Sequence, residues 1–98
     1  MKIANTSAHE YVANRRGFKG NNLDGTTVCH GAGRLPTAWR DLFYAAEDEG
    51  RLEYIVYSYW TPIAWHTTDE GWIVPPVKYS PTTSKHLTQT RVRDLVSA

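Results

Sequence analysis

Cysteine and long hydrophobic runs are nearly absent from this sequence. Its 98 residues include a single cysteine, Cys29, so no disulfide can form within the chain and a reducing compartment is the expected location. No apolar stretch is long enough for a membrane-spanning helix, and the opening residues MKIANTSAHE lack the apolar segment of a signal peptide. We therefore expect a cytoplasmic protein that does not contact a membrane, folded as one domain.

Motifs for metals, phosphates and cofactors are also missing. The four histidines and Cys29 show neither a Cys-x-x-Cys nor a His-x-x-x-His spacing, so the sequence predicts no metal site. The segment VCHGAGRLP (residues 28–36) lacks the lysine of a phosphate-binding loop and the third glycine of a dinucleotide-binding loop. No cofactor is predicted, and no catalytic motif indicates an enzyme.

The charged residues are segregated, although the net charge is +1. Residues 1–35 carry five basic and two acidic side chains, and residues 36–77 carry two basic and seven acidic ones. Residues 78–98 carry four basic side chains and one acidic one. Two basic ends thus flank an acidic middle, and the sequence leaves open whether the two ends form one cationic patch.

Hydrophobic periodicity predicts a helix over residues 36–49. Apolar residues recur there at three- and four-residue spacing, Pro36 suits the first position, and Gly50 supplies the stop. Residues 1–34 are rich in turn-forming residues and are predicted to be irregular, with TTVCHG (residues 26–31) as the candidate for a short strand.

Residues 54–78 have the pattern of an antiparallel β meander. β-Branched and aromatic residues dominate 54–59, Thr61-Pro62 is expected to break or bend the chain, and TTDEG (residues 67–71) is a hairpin loop. Trp65 and Trp72 flank that loop and are expected to face each other across the strands.

The segment YSPTTSKH (residues 79–86) predicts the start of a second helix, over 81–96. Ser80 can cap it and Pro81 suits its first position. Projected at about 3.6 residues per turn, Leu87 and Leu95 face inward, whereas His86, Gln89 and Arg93 face outward. The expected fold is α+β, with an antiparallel three- to four-stranded sheet and two helices packed on one face.

Aromatic residues are more frequent than a small core requires, at 12% of the chain. Surplus aromatic residues beside a sheet edge often bind a partner protein. The predicted partner-binding surface joins aromatic residues of the meander to the polar face of the second helix. Its members are Tyr57, Tyr59, Trp60, Trp65, Trp72, Lys78, Lys85, His86, Gln89 and Arg93.

Two alternatives stay open. The first is a nucleic-acid-binding protein whose basic side chains contact phosphates. Those side chains would be Arg15, Arg16, Lys19, Lys78, Lys85 and Arg93. The second is a small hydrolase in which His66 or His86 acts as the acid–base group.

A series of short motifs extends over most of this chain. They are Tyr57-Ser58-Tyr59, Thr61-Pro62-Ile63-Ala64-Trp65, Trp72, Lys78-Tyr79-Ser80, Thr82-Thr83-Ser84 and His86, with Phe18, Gly20, Asn22-Leu23 and Gly33-Arg34-Leu35-Pro36 upstream. In this frame the chain resembles small proteins of unknown function from actinobacterial phages and related prophages. The resemblance implies an accessory, non-virion protein of the host cytoplasm, without an assigned activity. The leading hypothesis is therefore a non-enzymatic accessory protein that binds a host macromolecule, and a host protein before a nucleic acid.

Overall fold

A five-stranded antiparallel sheet forms the centre of the computed structural model, which describes residues 2–77 and 79–96. The strands follow each other in sequence order: β1 (Phe18–Lys19), β2 (Leu23–Thr26), β3 (Leu52–Ser58), β4 (Thr61–Thr67) and β5 (Gly71–Ile73). The helices are α1 (Ala8–Ala13), α2 (Thr37–Asp48), α3 (Pro81–Thr90) and α4 (Val92–Val96), and a short 3-10 turn (Asn5–Ser7) precedes α1. The α+β class is confirmed, and the sheet has at least one strand more than expected.

The first third of the chain is irregular only in part, which corrects the prediction of an irregular segment over 1–34, because α1, β1 and β2 lie in it. Helix α1 buries two side chains, and β1 and β2 form a hairpin that pairs with β3 through β2. The candidate strand TTVCHG is wrong as well, because β2 ends at Thr26 and the chain then leaves the sheet. The sequence did not indicate β2 because it contains Gly25, and glycine is unfavourable inside a strand. Only glycine fits at this position, since a Cβ would collide with the Tyr54 hydroxyl and the Phe18 ring.

Helices cover both faces of the sheet, which corrects the prediction that they pack on one face. The cluster on one face joins α1, α3 and α4 to the sheet, and comprises Ala8, Val12, Leu23, Tyr54, Val56, Ile63, Ala64, Leu87 and Val92. The cluster on the other face joins α2 and its preceding loop to the sheet, and comprises Ala32, Leu35, Phe43, Ile55, Tyr57 and Trp65. Both faces are covered because β3 is apolar at consecutive positions.

Pro62 lies inside β4 and does not end a strand. Val56 pairs with Ala64 and Tyr57 pairs with Pro62, so Ile63 is an extra residue in β4. This bulge directs both Ile63 and Ala64 toward the α3 face of the sheet.

Trp65 and Trp72 do not face each other, contrary to the prediction. Trp65 pairs with Ile73, and Trp72 pairs with His66. Since successive residues of a strand point to opposite faces, the two indoles lie on opposite sides of the sheet.

The final third forms two helices where one was predicted over 81–96. Ser80 caps α3 as expected, since its hydroxyl accepts a hydrogen bond from the Thr83 N–H at 3.3 Å. Arg91 then adopts a left-handed conformation with a φ of 54°, and α4 begins at Val92. At this break the Thr90 hydroxyl donates a hydrogen bond to the Leu87 carbonyl at 2.7 Å, a local side-chain contact of the kind that competes with the helical pattern. The inward prediction for Leu87 is confirmed, since it is 1% exposed.

Candidate functional site at the β3–β4 turn

Two aromatic residues form the turn between β3 and β4, in a strained backbone conformation. Tyr59 has a φ of 49° and Trp60 a φ of 62°. Two-residue hairpin turns with positive φ at both positions favour Asn-Gly, and a bulky residue there costs about 1–3 kcal/mol. Nevertheless, 54% of Tyr59 and 50% of Trp60 is exposed to solvent. The turn displays aromatic surface at a conformational cost.

Two neighbouring loops hold this turn in place. The Tyr59 N–H donates to the Asn22 carbonyl at 3.0 Å, and the Arg34 N–H donates to the Thr61 hydroxyl at 3.0 Å. Gly33 approaches so closely that a Cβ would collide with the Trp60 carbonyl and with Thr61. The strained conformation is therefore set by contacts on both sides of the hairpin.

Neighbouring side chains orient the two exposed rings. The Tyr59 ring stacks on His86, with centroids 5.8 Å apart and an interplanar angle of 24°. The Trp60 ring lies 5.4 Å from His30, and the Lys19 ammonium lies 5.8 Å from its centroid. Each ring therefore packs against neighbouring side chains and still exposes about half of its residue's surface to solvent.

Behind Tyr59 runs a chain of buried polar side chains. Ser58, Thr83 and His86 are 1%, 8% and 4% exposed. The Ser58 hydroxyl lies 2.7 Å from His86 Nδ1 and 3.1 Å from the Thr83 hydroxyl, which accepts a hydrogen bond from Ser80 at 3.3 Å. Burial, followed by repulsion from Lys85, lowers the pKa of His86, so the neutral imidazole is favoured. A neutral Nδ1 can accept the Ser58 proton.

A cleft of about 670 Å³ opens between the turn and the start of α3. Its polar lining residues are Arg34, Ser58, Thr61, Tyr79, Ser80 and Thr83, and Tyr59 forms part of its wall. Within residues 2–77 and 79–96, no acidic side chain lines the cleft and Arg34 forms no ion pair. The cleft is rich in hydroxyl groups, and Arg34 is the one cation that lines it among the described residues.

Charge is distributed differently at the two ends of β4. Near the Tyr59–Trp60 turn lie Lys2 and Lys19, which line a second, smaller cleft with both aromatic residues, and Asp24 is 3.9 Å from Lys19. Near the β4–β5 turn, Arg51 binds several carboxylates. They are Glu49, Asp69 and Glu70, at 2.6, 3.2 and 3.6 Å.

The predicted aromatic anchors separate into three groups. Tyr59 and Trp60 are exposed at the turn. Trp72 is half-buried between Tyr54 and His66. Tyr57 and Trp65 are fully buried, so as surface anchors they are wrong. The alternation of β3 and β4 directs both into the α2 core, where the Tyr57 hydroxyl bonds His30 N–H and the Gly31 carbonyl.

Among the predicted polar residues, Lys85 and Arg93 are exposed and Gln89 is half-buried. His86 is buried, so its outward placement is wrong. Hydropathy alone predicts that a polar residue faces solvent. In the structure Ser58 of β3 provides a hydrogen-bond partner for His86 inside the protein. Lys78 lies outside the described residues.

The basic residues of the nucleic-acid alternative lie in different surroundings. Lys19 lies beside Trp60, whereas Arg16 lies 5.6 Å from the Tyr11 ring on α1. Arg15 is exposed in the turn after α1, where it has a positive φ of 49°. His66 of the hydrolase alternative lies 2.7 Å from Glu53.

Four residues of the site were not predicted as site residues, namely Ser58, Thr61, Arg34 and Gly33. Two signals were present: all four lie in the motifs that carry the resemblance, and Ser58 is the small polar residue in the otherwise apolar and aromatic run 54–59. Thr83 and Ser80 were assigned to helix capping, which they do provide, while Thr83 also bonds Ser58.

No group of three or more His, Cys, Asp or Glu side chains in the described part of the chain is arranged to hold a metal ion. The helices described here are all too short or too polar to cross a membrane.

Fold and site together define a small α+β domain with an exposed aromatic hairpin turn beside a polar cleft. A family of unknown function, DUF8033, matches residues 2–95, and the chain belongs to this family. No curated protein and no solved structure matches the chain significantly. The family carries no assigned activity, so the function has to be inferred from the site itself.

Proposed function

We propose that this is a non-enzymatic accessory protein of phage or prophage origin that binds a host protein in the host cytoplasm through the Tyr59–Trp60 turn. The observation that carries this proposal is the turn itself, where two half-exposed aromatic residues have positive φ values.

A turn selected only for stability would have other residues. Asn-Gly would relieve the backbone strain, and polar side chains would avoid exposing aromatic surface. Tyrosine and tryptophan are the residues enriched at binding hot spots, where they fill pockets of the partner. Since the rings are already oriented by His86, His30 and Lys19, little side-chain entropy is lost on binding.

The charges around the turn support an acidic partner surface. Lys2 and Lys19 lie on one side of it and Arg34 on the other. Cations at the rim of an aromatic hot spot accelerate association with a negatively charged surface. The other basic residues of the nucleic-acid alternative, such as Arg16, are distributed over separate surroundings, which favours a compact protein contact over an extended phosphate backbone.

The test is capture of a partner from the lysate of an actinobacterial host, with identification by mass spectrometry and a binding measurement on the purified pair. Wild type is compared with Tyr59→Ser and Trp60→Ser, and with Leu42→Ser as a control that removes an equally exposed apolar residue from α2 (57% exposed). We expect the turn variants to lose the partner and the control to retain it. Equal binding by all four proteins would refute the proposal, and salt-sensitive binding of a single-stranded oligonucleotide would favour the nucleic-acid alternative instead.

One observation favours the hydrolase alternative, namely the Ser58 hydroxyl 2.7 Å from a neutral His86 at the edge of a cleft. A base beside a hydroxyl is the arrangement that activates a nucleophile. Hydrolysis of p-nitrophenyl acetate by wild type and by Ser58→Ala separates the two functions. A binding protein hydrolyses the ester equally slowly in both forms, whereas a hydrolase loses its activity with Ser58.

A further inference from the structure

We propose that the cleft between the β3–β4 turn and α3 binds a phosphate monoester that carries a planar organic group. The site shares Tyr59 and Arg34 with the proposed partner surface, whereas Trp60 does not line this cleft and lies in the smaller cleft with Lys2 and Lys19.

The cleft has the size of a small-molecule site. Its volume of about 670 Å³ lies within the usual range of ligand pockets, about 300–1,000 Å³. Pro36 and Val77 contribute apolar wall, and Tyr59 presents an exposed ring. One part of the cleft can therefore bind a planar group by stacking on Tyr59.

The polar part of the cleft matches a phosphate. Arg34 is a cation without an ion pair among the described residues, and the guanidinium group binds phosphate oxygens in a bidentate manner. The cleft is also lined by further residues that carry a hydroxyl group, namely Ser58, Thr61, Tyr79, Ser80 and Thr83. A phosphate monoester has three terminal oxygens and a charge of about −1.5 to −2, so it can use more of these donors than a carboxylate can.

The buried polar chain links this cleft to His86. In the free protein the Thr83 hydroxyl can donate to Ser58, and the Ser58 hydroxyl to His86 Nδ1. When a phosphate oxygen accepts the Ser58 proton instead, His86 Nδ1 loses its donor. Binding in the cleft therefore changes the environment of a buried imidazole that the ligand does not touch.

The experiment is an NMR titration with phenyl phosphate, followed on the backbone amides and on the His86 ring nitrogens, with inorganic phosphate as a second probe. We expect shifts at the residues that line the cleft and at His86 Nδ1, and tighter binding of phenyl phosphate than of inorganic phosphate. Arg34→Gln should weaken phenyl phosphate binding about tenfold or more, since a charge-assisted hydrogen bond is lost. Arg34→Lys should restore part of the affinity.

Two control variants complete the titration. Lys85→Gln removes an exposed cation of α3, and Trp60→Ser removes the residue of the partner surface that does not line the cleft. Both variants should bind phenyl phosphate like wild type. The proposal is overturned by an absence of shifts with millimolar phenyl phosphate, by wild-type affinity in Arg34→Gln, or by an equal loss in Lys85→Gln, which would indicate unspecific attraction. Because Trp60 does not line the cleft and phenyl phosphate is titrated without a partner protein, either proposal can fail without the other.

Discussion

The turns at the two ends of β4 both connect neighbouring strands of the sheet, but one consists of polar residues and the other of aromatic residues. In the β4–β5 turn the exposed residues are polar, Gly71 supplies the positive φ of 73°, and the Thr67 hydroxyl accepts a hydrogen bond from the Glu70 N–H at 3.1 Å. In the β3–β4 turn, Tyr59 and Trp60 take the positive φ values and expose their rings. Since the topology is the same, the sheet alone does not require the second arrangement.

The charges around the two turns differ in the same way. At the β4–β5 end, Arg51 forms ion pairs with Glu49, Asp69 and Glu70, so this cation is fully paired. At the β3–β4 end, Arg34 has no ion pair with any described residue and lines an open cleft. Strain, exposed aromatic surface and a cation without an ion pair among the described residues coincide at the β3–β4 end, and such features cluster at binding sites.

Gly33→Ala should have the largest effect on the β3–β4 end. The residue has a φ of 51°, and a Cβ would collide with backbone atoms of Trp60 and Thr61, which cannot rotate away. We expect the free energy of unfolding in urea to fall by about 3 kcal/mol, from the clash and the left-handed conformation together.

The matched control is Gly71→Ala at the other turn. Its φ is 73°, but nothing lies within 4 Å of the added Cβ, so only the left-handed conformation should cost stability, about 1–2 kcal/mol. If both substitutions cost the same, the loop around Gly33 does not hold the turn.

Ser58→Ala should have the next largest effect, because it removes a partner from both His86 and Thr83 inside the protein. Leaving buried polar groups unpaired costs about 1–3 kcal/mol, measured by urea unfolding at neutral pH. Thr68→Ala, at the exposed β4–β5 turn, should change stability by less than about 0.5 kcal/mol. A Ser58→Ala protein as stable as wild type would mean that water replaces the hydroxyl.

The parts of the fold with local signals could be predicted from the sequence. Helix α2 lies between Pro36 and Gly50, α3 starts at Ser80-Pro81, and the β4–β5 loop carries turn residues. Each of these elements is specified by neighbours a few residues away.

The candidate site could not be predicted in the same way, because its contacts join distant segments. His86 is buried against a serine 28 positions earlier, and its polarity made it look exposed. The turn at Tyr59–Trp60 interrupts an aromatic run without a glycine or asparagine to mark it. Strand β2 depends on Gly25 leaving room for Tyr54 and Phe18, which no local pattern records.

The pH dependence of stability provides a smaller test of the β3–β4 end. Burial and Lys85 hold the pKa of His86 below its ordinary value of 6.5 in the folded protein. The unfolded chain therefore takes up the proton first, and the free energy of unfolding decreases as the pH falls below 6.5 until the folded His86 also titrates. His86→Asn keeps an acceptor for Ser58 but does not titrate, so it should lose less stability between about pH 7.5 and pH 5. Parallel curves for the two proteins would show that His86 is not kept neutral by the fold.

The smallest expected change in stability is also the most informative one. The double variant Tyr59→Asn/Trp60→Gly gives the β3–β4 turn the residues that its backbone favours. Relief of about 1–3 kcal/mol of strain per residue is offset by ring contacts worth about 0.5–1.5 kcal/mol each, with His86, His30 and Tyr57. We expect the free energy of unfolding to stay within about 1 kcal/mol of wild type while partner binding is lost, as for residues kept for function at the expense of stability. A loss of 2 kcal/mol or more, on the order of a core substitution, would instead mean that the two rings stabilise the fold and that their exposure is incidental.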